Sequence, residues 1–470
     1  MPALSQPSRT SPRAVLVIVC AGVVLASLDL FIVNVALPQI ARDLHTRGLS
    51  DLSWVLNGYA IVYAALLVLA GRTADRHRRK YGFLLGVAVF TVASAACGAA
   101  SSVAMLVAFR LVQAAGAALL TPTSLSLVLA AFPPERRHGA VRAWTATGGM
   151  AAALGPVIGG VLVAASWRWV FLVNVPIGLA ALIVGWRRLP DVPGHPIPRP
   201  DALGSLLVTA GVGSLTFGLV KGGDWGWGRA PTLALLSAAA LALVAFVIHC
   251  RRSANPLIDP VLFRVRAFSS ATLIALLFSI AFGAMLLSIV LWEQDVWGWS
   301  ALRTGLAIAP GPLMVPLFAF GLGGRLISRF GPGPVIGAGS VAFAAGVVWW
   351  AMAVGVHPDY VRDMLGGLLL TGIGVGLTMP TFMATAASSL PAPSFATGSA
   401  VVNMLRQVGL AIGVAVLVAV IGRPSAAHRL AGFQHGWYVI AAFALLAAAA
   451  SLLLRPRARV AALAVAGSSG

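Results

Sequence analysis

Four ionisable side chains stand inside or directly after long apolar stretches, where a charged group is costly. Asp29, Arg110 and Arg406 lie within such stretches. Glu293 follows another, with Asp295 two residues further on. An aspartate or arginine at the centre of a bilayer costs about 2.5–3.5 kcal/mol even on lenient insertion scales. Because that cost is tolerated mainly where the group serves transport, these residues are candidates for binding or moving a proton or a substrate.

The depths of Asp29 and Arg110 predict that they can pair. Asp29 lies ~22 Å along a helix that begins near Ala14, and Arg110 lies ~9 Å along a helix entered from the opposite side. The two are therefore nearly level in a core of about 30 Å. Burial and a neighbouring guanidinium act on a carboxyl group in opposite senses, so small motions can switch its protonation. We interpret Asp29 as a proton carrier partnered by Arg110, with a permanent structural ion pair as the alternative.

The other charged candidates lie nearer the ends of their helices. Glu293 and Asp295 are predicted about 36 Å along theirs, at the outer interface, where a carboxylate can stay wet; Glu293 is the stronger candidate for a substrate or proton role. Arg406 lies about a turn and a half inside the cytoplasmic end of its helix. It could take part in the transport pathway, or its long side chain could extend to water at the membrane interface. The candidate substrate cavity comprises Asn34, Gln113, Glu293, Asn403, Arg406 and Gln407.

Composition identifies the chain as a membrane protein. Of its 470 residues, 59% are apolar and 10% are charged, whereas soluble domains carry about 25% charged residues. Windows of about 20 apolar residues predict fourteen membrane-spanning helices, the first of them uncleaved. The predicted spans are 14–37, 53–71, 82–101, 104–130, 140–164, 170–186, 202–220, 232–250, 269–293, 304–326, 333–354, 364–388, 399–421 and 436–454.

The basic residues predict the orientation. Of 33 Lys and Arg residues, 22 fall in or beside the segments on one side of the membrane and nine on the other. The positive-inside rule places the richer side, with both termini, in the cytoplasm of a cell-membrane protein. Because these charges lie in short loops, the net charge of +20 does not indicate a nucleic-acid partner. We expect a monomer in the lipid bilayer.

Sequence patterns of enzymatic sites are absent. There is no Gly-Lys dipeptide, hence no Walker A phosphate loop, and no Gly-x-Ser-x-Gly elbow. The three cysteines, Cys20, Cys97 and Cys250, give neither a disulfide framework nor metal spacing. We therefore predict neither an enzyme nor a metal or cofactor. A non-transporting sensor would usually carry a soluble output domain, and no loop is long enough to form one.

An internal repeat organises the predicted helices. Each repeat offset covers eight helices, so two six-helix halves flank an inserted pair. Parallel repeats of six helices are characteristic of one large transporter class. The matching segments are 71–76 with 324–329, 155–159 with 409–413, and 116–123 with 374–381, at offsets of 253, 254 and 258. The predicted domains are an N-terminal six-helix bundle (1–199), a two-helix insert with connectors (200–266) and a C-terminal six-helix bundle (267–470).

Two segments are candidates for moving parts. The loop 71–80 places one acid among five basic residues. The fifth span carries glycines that permit close helix approach and a proline that bends the helix. The candidate residues are Gly71, Asp75, Arg76 and Arg79 in the loop, and Gly155, Pro156, Gly159 and Gly160 in the span.

These motifs resemble the major facilitator superfamily, specifically its fourteen-helix drug:proton antiporter branch. The similar segments are LDLFIVNVALP (28–38), GRTADRHRRK (71–80), RLVQAAGAA (110–118), LGPVIGG (154–160), WRWVFLVNVPIG (167–178) and NMLRQVGLAIG (403–413). The resemblance implies an all-α polytopic fold of two six-helix bundles plus two inserted helices. It also implies that Asp29 and Arg110 couple protons, that Asp75 and its arginines latch the halves, and that Gly155 and Pro156 help seal the outward side.

Some residues depart from the family pattern. Arg78, Ala114 and Ala151 replace usual glycines, Ser328 stands where an acid is common, and Glu293 stands where an apolar residue is usual. The combined features predict proton-driven efflux of small, largely apolar compounds such as antibiotics by alternating access. The alternative is proton-coupled uptake or symport, against which the Gly-Pro motif argues.

Overall fold

A computed structural model describes residues 11–46, 48–76, 78–193, 201–390, 395–422 and 428–454. Throughout these ranges the regular structure is helical, without strands. Thirteen helices are long and apolar enough to cross a membrane. The remaining long helix, Pro134–Ala165, holds the predicted fifth span and is continuously apolar over Leu154–Ala165. The predicted all-α polytopic architecture is confirmed.

We number the helices α1 to α14 in chain order and call the end of the bundle where α1 begins the inner end. The first half comprises α1 (Pro12–Asp43), α2 (Leu49–Arg76), α3 (Arg79–Gly98), α4 (Val103–Ala131), α5 (Pro134–Ala165) and α6 (Trp169–Leu172 and Asn174–Arg188). The inserted pair is α7 (Ala202–Trp225) and α8 (Ala230–Arg252). The second half comprises α9 (Arg266–Leu291, continued by Trp292–Val296), α10 (Ala301–Ile308, Pro310–Pro316, Leu317–Leu322 and Gly323–Phe330), α11 (Pro332–Ala353), α12 (Tyr360–Leu365 and Gly366–Ser388), α13 (Phe395–Ile421) and α14 (Arg429–Ser451).

The helices of the second half are less regular than the sequence predicts. Segments Trp292–Val296, Leu317–Leu322 and Tyr360–Leu365 are π-helical. In α10, prolines at 310 and 316 explain the change, because proline has no N–H to donate and forces the hydrogen-bond register to shift. The predicted tenth span, 304–326, is therefore a helix of several pieces.

Glycines bring equivalent helices together in the two halves. In the first half, α5 packs on α1, where a Cβ atom at Gly159 would lie 3.0 Å from the carbonyl oxygen of Ile32. In the second half, α13 packs on α9, where a Cβ atom at Gly409 would lie 2.7 Å from the carbonyl oxygen of Leu276. The pairs α3–α4 and α11–α12 also pack closely through glycines. The sequence repeat thus corresponds to a repeat in packing.

The inserted pair docks through α7. Helix α7 contacts α2 and α13, whereas most of α8 is exposed on the outside of the bundle. At the inner end, Asp201 caps α7 by accepting hydrogen bonds from the backbone N–H groups of Gly204 and Leu257, 2.8 Å each, and lies 2.9 Å from Nε2 of His249. Burial raises the pKa of the Asp201 carboxyl, but these hydrogen bonds outweigh it, so the pKa lies below its usual value.

Candidate functional site

A buried ion pair joins α1 to α4. The Nη1 atom of Arg110 donates to Oδ2 of Asp29, and neither side chain is exposed. The pairing that follows from the matched depths of the two residues is present in the structure. Because both partners are withdrawn from water, each compensates much of the other's desolvation cost.

Two amide side chains complete the donors around Asp29. Gln113 donates through Nε2 to Oδ1 of Asp29 over 2.8 Å, and its own Oε1 accepts from Nη1 of Arg110 over 2.8 Å. Asn174 of α6 donates to the same Oδ1 over 3.3 Å. Gln113 is fully buried within this network. In this structure its amide is engaged by the ion pair, and its place in a substrate cavity stays a prediction.

Ser94 of α3 fixes the two amides. Its hydroxyl accepts from Nε2 of Gln113 over 3.1 Å and from Nδ2 of Asn174 over 3.0 Å. The same hydroxyl donates to the carbonyl oxygen of Phe171 over 2.8 Å. Neither Ser94 nor Asn174 was selected from the sequence, because each is a single polar residue in an apolar run; Asn174 lies within segment 167–178, which resembles the family.

The far side of Arg110 is held by α2. Its Nε donates to the carbonyl oxygen of Val55 over 3.2 Å, and its guanidinium carbon lies 4.1 Å from the centre of the Tyr59 ring, a cation–π contact. The Nη2 atom of Arg110 and the hydroxyl of Tyr59 have no hydrogen-bond partner within the described ranges. Five helices thus meet at one carboxylate that can hold or release a proton.

Glu293 occupies a different environment from the one predicted. It is fully buried, and neither carboxyl oxygen has a hydrogen-bond partner among the described residues; the hydroxyl of Thr304 on α10 is also unpaired. The expectation of a wet carboxylate is wrong for Glu293, because the chain folds back over it and the N–H of Trp299 donates to its carbonyl oxygen over 2.9 Å. Asp295 is exposed, as an interfacial residue should be.

A small cavity lies between the halves in their outer part. Its volume of about 30 Å³ suffices for a water molecule but not for a drug-sized compound. Asn34 lines it and donates to the carbonyl oxygens of Leu30 and Phe31 on its own helix. Asn57 of α2 also lines it and is fully buried, with both amide atoms unpaired among the described residues. Asn57 is a candidate contact for a bound molecule that the sequence did not indicate.

The remaining cavity candidates lie on α13. Asn403 donates to the carbonyl oxygen of Ser399 one turn earlier, over 3.0 Å. Gln407 is buried, and its Oε1 has no partner within the described part of the chain. Arg406 is partly exposed and faces Tyr63 of α2, across the boundary between the halves.

Metal ligands do not converge at these sites. No group of three or more His, Cys, Asp or Glu residues within the described ranges is placed to hold a metal ion. The chemistry that the geometry offers is proton binding, hydrogen bonding and ion pairing.

Comparison with family models decides the family. The model of the Major Facilitator Superfamily matches residues 19–414, most of the chain. The chain belongs to the major facilitator superfamily.

Several relatives of this transporter carry names that refer to resistance or export. The tetracenomycin C resistance and export protein of Streptomyces glaucescens is 35% identical over 411 residues, 87% of this chain and 76% of that protein. The methylenomycin A resistance protein of Bacillus subtilis (strain 168) is 34% identical over 455 residues, 96% of this chain and 94% of that protein. The cephamycin export protein of Amycolatopsis lactamdurans is 35% identical over 427 residues, 89% and 87% of the two chains.

Solved structures show the same fold. The POT family transporter PepTSo superimposes with a TM-score of 0.68 at 17% identity, covering 94% of this chain and 98% of that one. A bacterial homologue of the human lysosomal transporter Spinster, in an inward-facing and occupied conformation, gives 0.68 at 16% identity, covering 96% and 97%. At these identities the likeness concerns the fold alone.

The family's fifth-helix motif lies at a contact between the transporter's halves. Gly155 packs against Phe31 of α1 within the first half. Gly160 faces α10 so closely that a Cβ atom there would lie 2.7 Å from the carbonyl oxygen of Ala301. One turn further along, a Cβ atom on Gly305 would overlap the carbonyl oxygen of Pro156.

The loop motif of the family is tied to α6 of the same half. Arg78 pairs with Asp191, and Nζ of Lys80 donates to the carbonyl oxygen of Trp186 over 2.8 Å. The backbone N–H of Arg79 donates to the carbonyl oxygen of Val192 over 3.2 Å. Three motif residues lie in the last turns of α2: Gly71 packs near Pro122, and Arg76, the last residue of the helix, is exposed. The side chain of Asp75 lies outside the described part of the structure.

Proposed function

We propose that this transporter exports small, largely apolar compounds such as antibiotics from the cytoplasm in exchange for protons. The names of two relatives at 35% identity refer to export and support that direction of transport. The observation that carries the proton coupling is the fully buried pair of Asp29 and Arg110, placed where five helices meet. A buried ionisable group inside a transporter is most economically explained as part of the transport pathway.

In the proposed cycle, Asp29 alternates between a charged state that is paired with Arg110 and a protonated, neutral state. With the proton absent, its carboxylate is held by Arg110, Gln113 and Asn174, the arrangement of the structure. A proton entering from outside neutralises the carboxylate and weakens its attraction to Arg110. The helices that carry the two residues can then separate, and the change of state follows from the loss of a buried ion pair.

The available energy matches the task. One proton that crosses a potential of ~150 mV supplies about 3.5 kcal/mol. At 1.4 kcal/mol for each factor of ten, this sustains a substrate gradient of a few hundredfold.

The other motifs have supporting roles in this proposal. Gly155, Pro156, Gly159 and Gly160 seal the outer end, and their contacts with α1 and α10 support that role. Gly71, Asp75, Arg76 and Arg79 form the inner latch, as the resemblance to the family implies. The domain boundaries at 199 and 266, a monomeric state, and a cell-membrane location with both termini cytoplasmic belong to the same proposal.

The central test is Asp29→Asn in proteoliposomes. Asparagine is nearly isosteric and polar but cannot bind a proton, so gradient-driven uphill export should be abolished, while downhill exchange of substrate survives. Proton release evoked by a panel of antibiotics, followed with a trapped pH dye, measures the coupling.

The matched control is Asp295→Asn, which removes an exposed carboxyl group from the outer end of α9 and should leave coupling unchanged. Full drug-evoked proton movement in Asp29→Asn would show that the aspartate is only the structural partner of Arg110.

A further inference from the structure

Arg406 is a cation deep in the bundle. It lies seven residues after position 399, where the predicted span 399–421 begins, which is ~10 Å along the helix. In a core of about 30 Å this depth is well inside the membrane, in its inner half. A charge at this depth is expensive unless an opposite charge or a polar ligand compensates it.

No protein carboxylate compensates Arg406 within the described part of the chain. No acid there lies within 4.0 Å of its guanidinium, and its buried Nε atom has no hydrogen-bond partner. The ionisable group that faces it is Tyr63, whose hydroxyl is already hydrogen-bonded to Thr121 over 3.0 Å. Tyrosine is neutral near pH 7 and does not supply a counter-charge.

The other buried acids cannot take its place. Asp29 is occupied by Arg110 and two amides. Glu293, in the last part of α9, and Asp363, in the first part of α12, lie at the outer end of the bundle, on the opposite side of the membrane from Arg406. Asp201, at the start of α7, is held by two backbone N–H groups and His249. Arg406 is therefore a cation without a protein counter-charge among the described helices.

Arg406 also lies where a transported molecule must pass. Helix α13 of the second half contacts α2 of the first half, and Arg406 interacts electrostatically with Tyr63 across this boundary. Its side chain is partly exposed although it lies deep in the bundle. The unpaired Oε1 of neighbouring Gln407 provides a second polar group at the same level.

We propose that Arg406 binds an anionic oxygen of the exported compound, a carboxylate or an ionised phenol, and so selects organic acids. This inference rests on the proposed export function for the claim that the bound molecule is transported. A guanidinium pairs with a carboxylate through two parallel charge-assisted hydrogen bonds, which are stronger where water is scarce. A neutral or cationic compound would leave Arg406 unpaired and bind less tightly.

The test is an equilibrium binding measurement on the full-length protein in detergent. The probes are three aromatic scaffolds, naphthalene, anthracene and pyrene, each carrying a carboxylic acid, its primary amide or an aminomethyl group. At neutral pH the acid of the best-binding scaffold should bind at least about tenfold more tightly than its amide and its amine, equivalent to ~1.4 kcal/mol. Equal affinities, a preference for the amine, or no binding of any acid would overturn the proposal.

Substitutions assign the preference to the residue. Arg406→Gln should bring the acid to the affinity of the amide, and Arg406→Lys should retain part of the preference because it keeps the charge. Arg303→Gln is the control, since it removes an exposed arginine at the outer end of the bundle. An unchanged preference in Arg406→Gln would contradict the assignment. If that variant does not fold, the wild-type ranking and Arg406→Lys decide.

The outcome is separable from the proposed function. Binding in detergent needs no proton gradient, so loss of the acid preference would leave proton-driven export intact. Conversely, failure of Asp29→Asn to uncouple export would leave the Arg406 site standing.

Discussion

Asp29 is stabilised by directed donors instead of by water. Arg110, Gln113 and Asn174 all donate to its carboxylate, and the two amides are positioned by the hydroxyl of Ser94. Removing one partner of a buried ion pair leaves an uncompensated charge and typically costs about 3–5 kcal/mol. A proton on Asp29 removes the charge without removing the side chain. Protonation is therefore the mildest change that can loosen this junction.

The geometry of Arg110 predicts that lysine cannot replace it. A lysine retains the charge but loses the Nε hydrogen bond to Val55 and the planar contact with Tyr59. We expect Arg110→Lys to destabilise the protein by about 1.5–3 kcal/mol, the range for a hydrogen bond to a charged group. It should also slow transport at least about tenfold. Thermal unfolding in detergent and proteoliposome transport measure the two effects.

A matched control is Arg303→Lys. Arg303 stacks on Trp299, with its guanidinium carbon 4.0 Å from the ring centre, but it is exposed, so the exchange should be nearly neutral. If Arg110→Lys has the unfolding temperature and the transport rate of the wild type, the planar shape and multiple donors of the Arg110 guanidinium are unimportant.

At this scale the sequence predicted the charged residues of the site better than their polar partners. An aspartate or arginine in an apolar run is rare and therefore easily recognised, and the rise per residue of a helix gives its depth in the membrane. Ser94, Asn174 and Asn57 are not distinguished in this way, since single small polar residues are common in membrane helices. Whether they meet depends on the rotation of each helix, which only packing sets.

At the scale of helices, the contact of α5 with α10 is the tightest described link between the halves at the outer end. Backbone meets backbone there, with Gly160 against Ala301 and Gly305 against Pro156. Such contacts are possible only without side chains, so the glycines permit full closure. The sequence indicated the glycines of α5, but it did not indicate Gly305 as their counterpart.

We therefore expect Gly305→Ala to prevent outer closure. The added methyl group would overlap the carbonyl oxygen of Pro156 and force α5 and α10 apart. Transport should fall by more than about tenfold. A cysteine at Ala411, which is buried and lines the small cavity between the halves, should react with an impermeant maleimide from outside.

Gly321→Ala is the control on the same helix, because no atom lies within 4 Å of the position that its Cβ would take. It should leave both transport and labelling unchanged. If Gly305→Ala transports at the wild-type rate, the transport cycle does not require the close contact between α5 and α10.

Helix positions were predictable because a span needs about 20 apolar residues, whatever it packs against. The π-helical segments were not. In Trp292–Val296 the change of register accompanies a buried Glu293 and edge-to-face contacts of Trp292 with Phe433 and Trp437, which come from a distant part of the chain. Contacts with distant parts of the chain cannot be predicted from the local sequence pattern. Such π-helical turns often occur at functional positions.

At the scale of the whole molecule, the halves meet at their outer ends. Phe31 of α1 and Phe282 of α9 have ring centres 6.1 Å apart, and Gln294 donates to the carbonyl oxygen of Val35 over 3.0 Å. The α5–α10 contact lies at the same end. Arg406, by contrast, is partly exposed in the inner half. In the export that we propose, a bundle closed at its outer end, with a partly exposed cation in its inner half, is the state that accepts an acidic compound from the cytoplasm.

The last prediction concerns the orientation on which this direction of transport depends. In a variant with the three native cysteines replaced by alanine, one cysteine is introduced at Ala254, between α8 and α9, or at Val356, between α11 and α12. Both positions are exposed. We place the N-terminus in the cytoplasm; an even number of helices separates it from Ala254 and an odd number separates it from Val356. An impermeant maleimide should therefore label Val356→Cys in intact cells and Ala254→Cys only after permeabilisation. Labelling of Ala254→Cys in intact cells would show that the protein has the opposite orientation in the membrane. The compounds bound at Arg406 would then enter from outside.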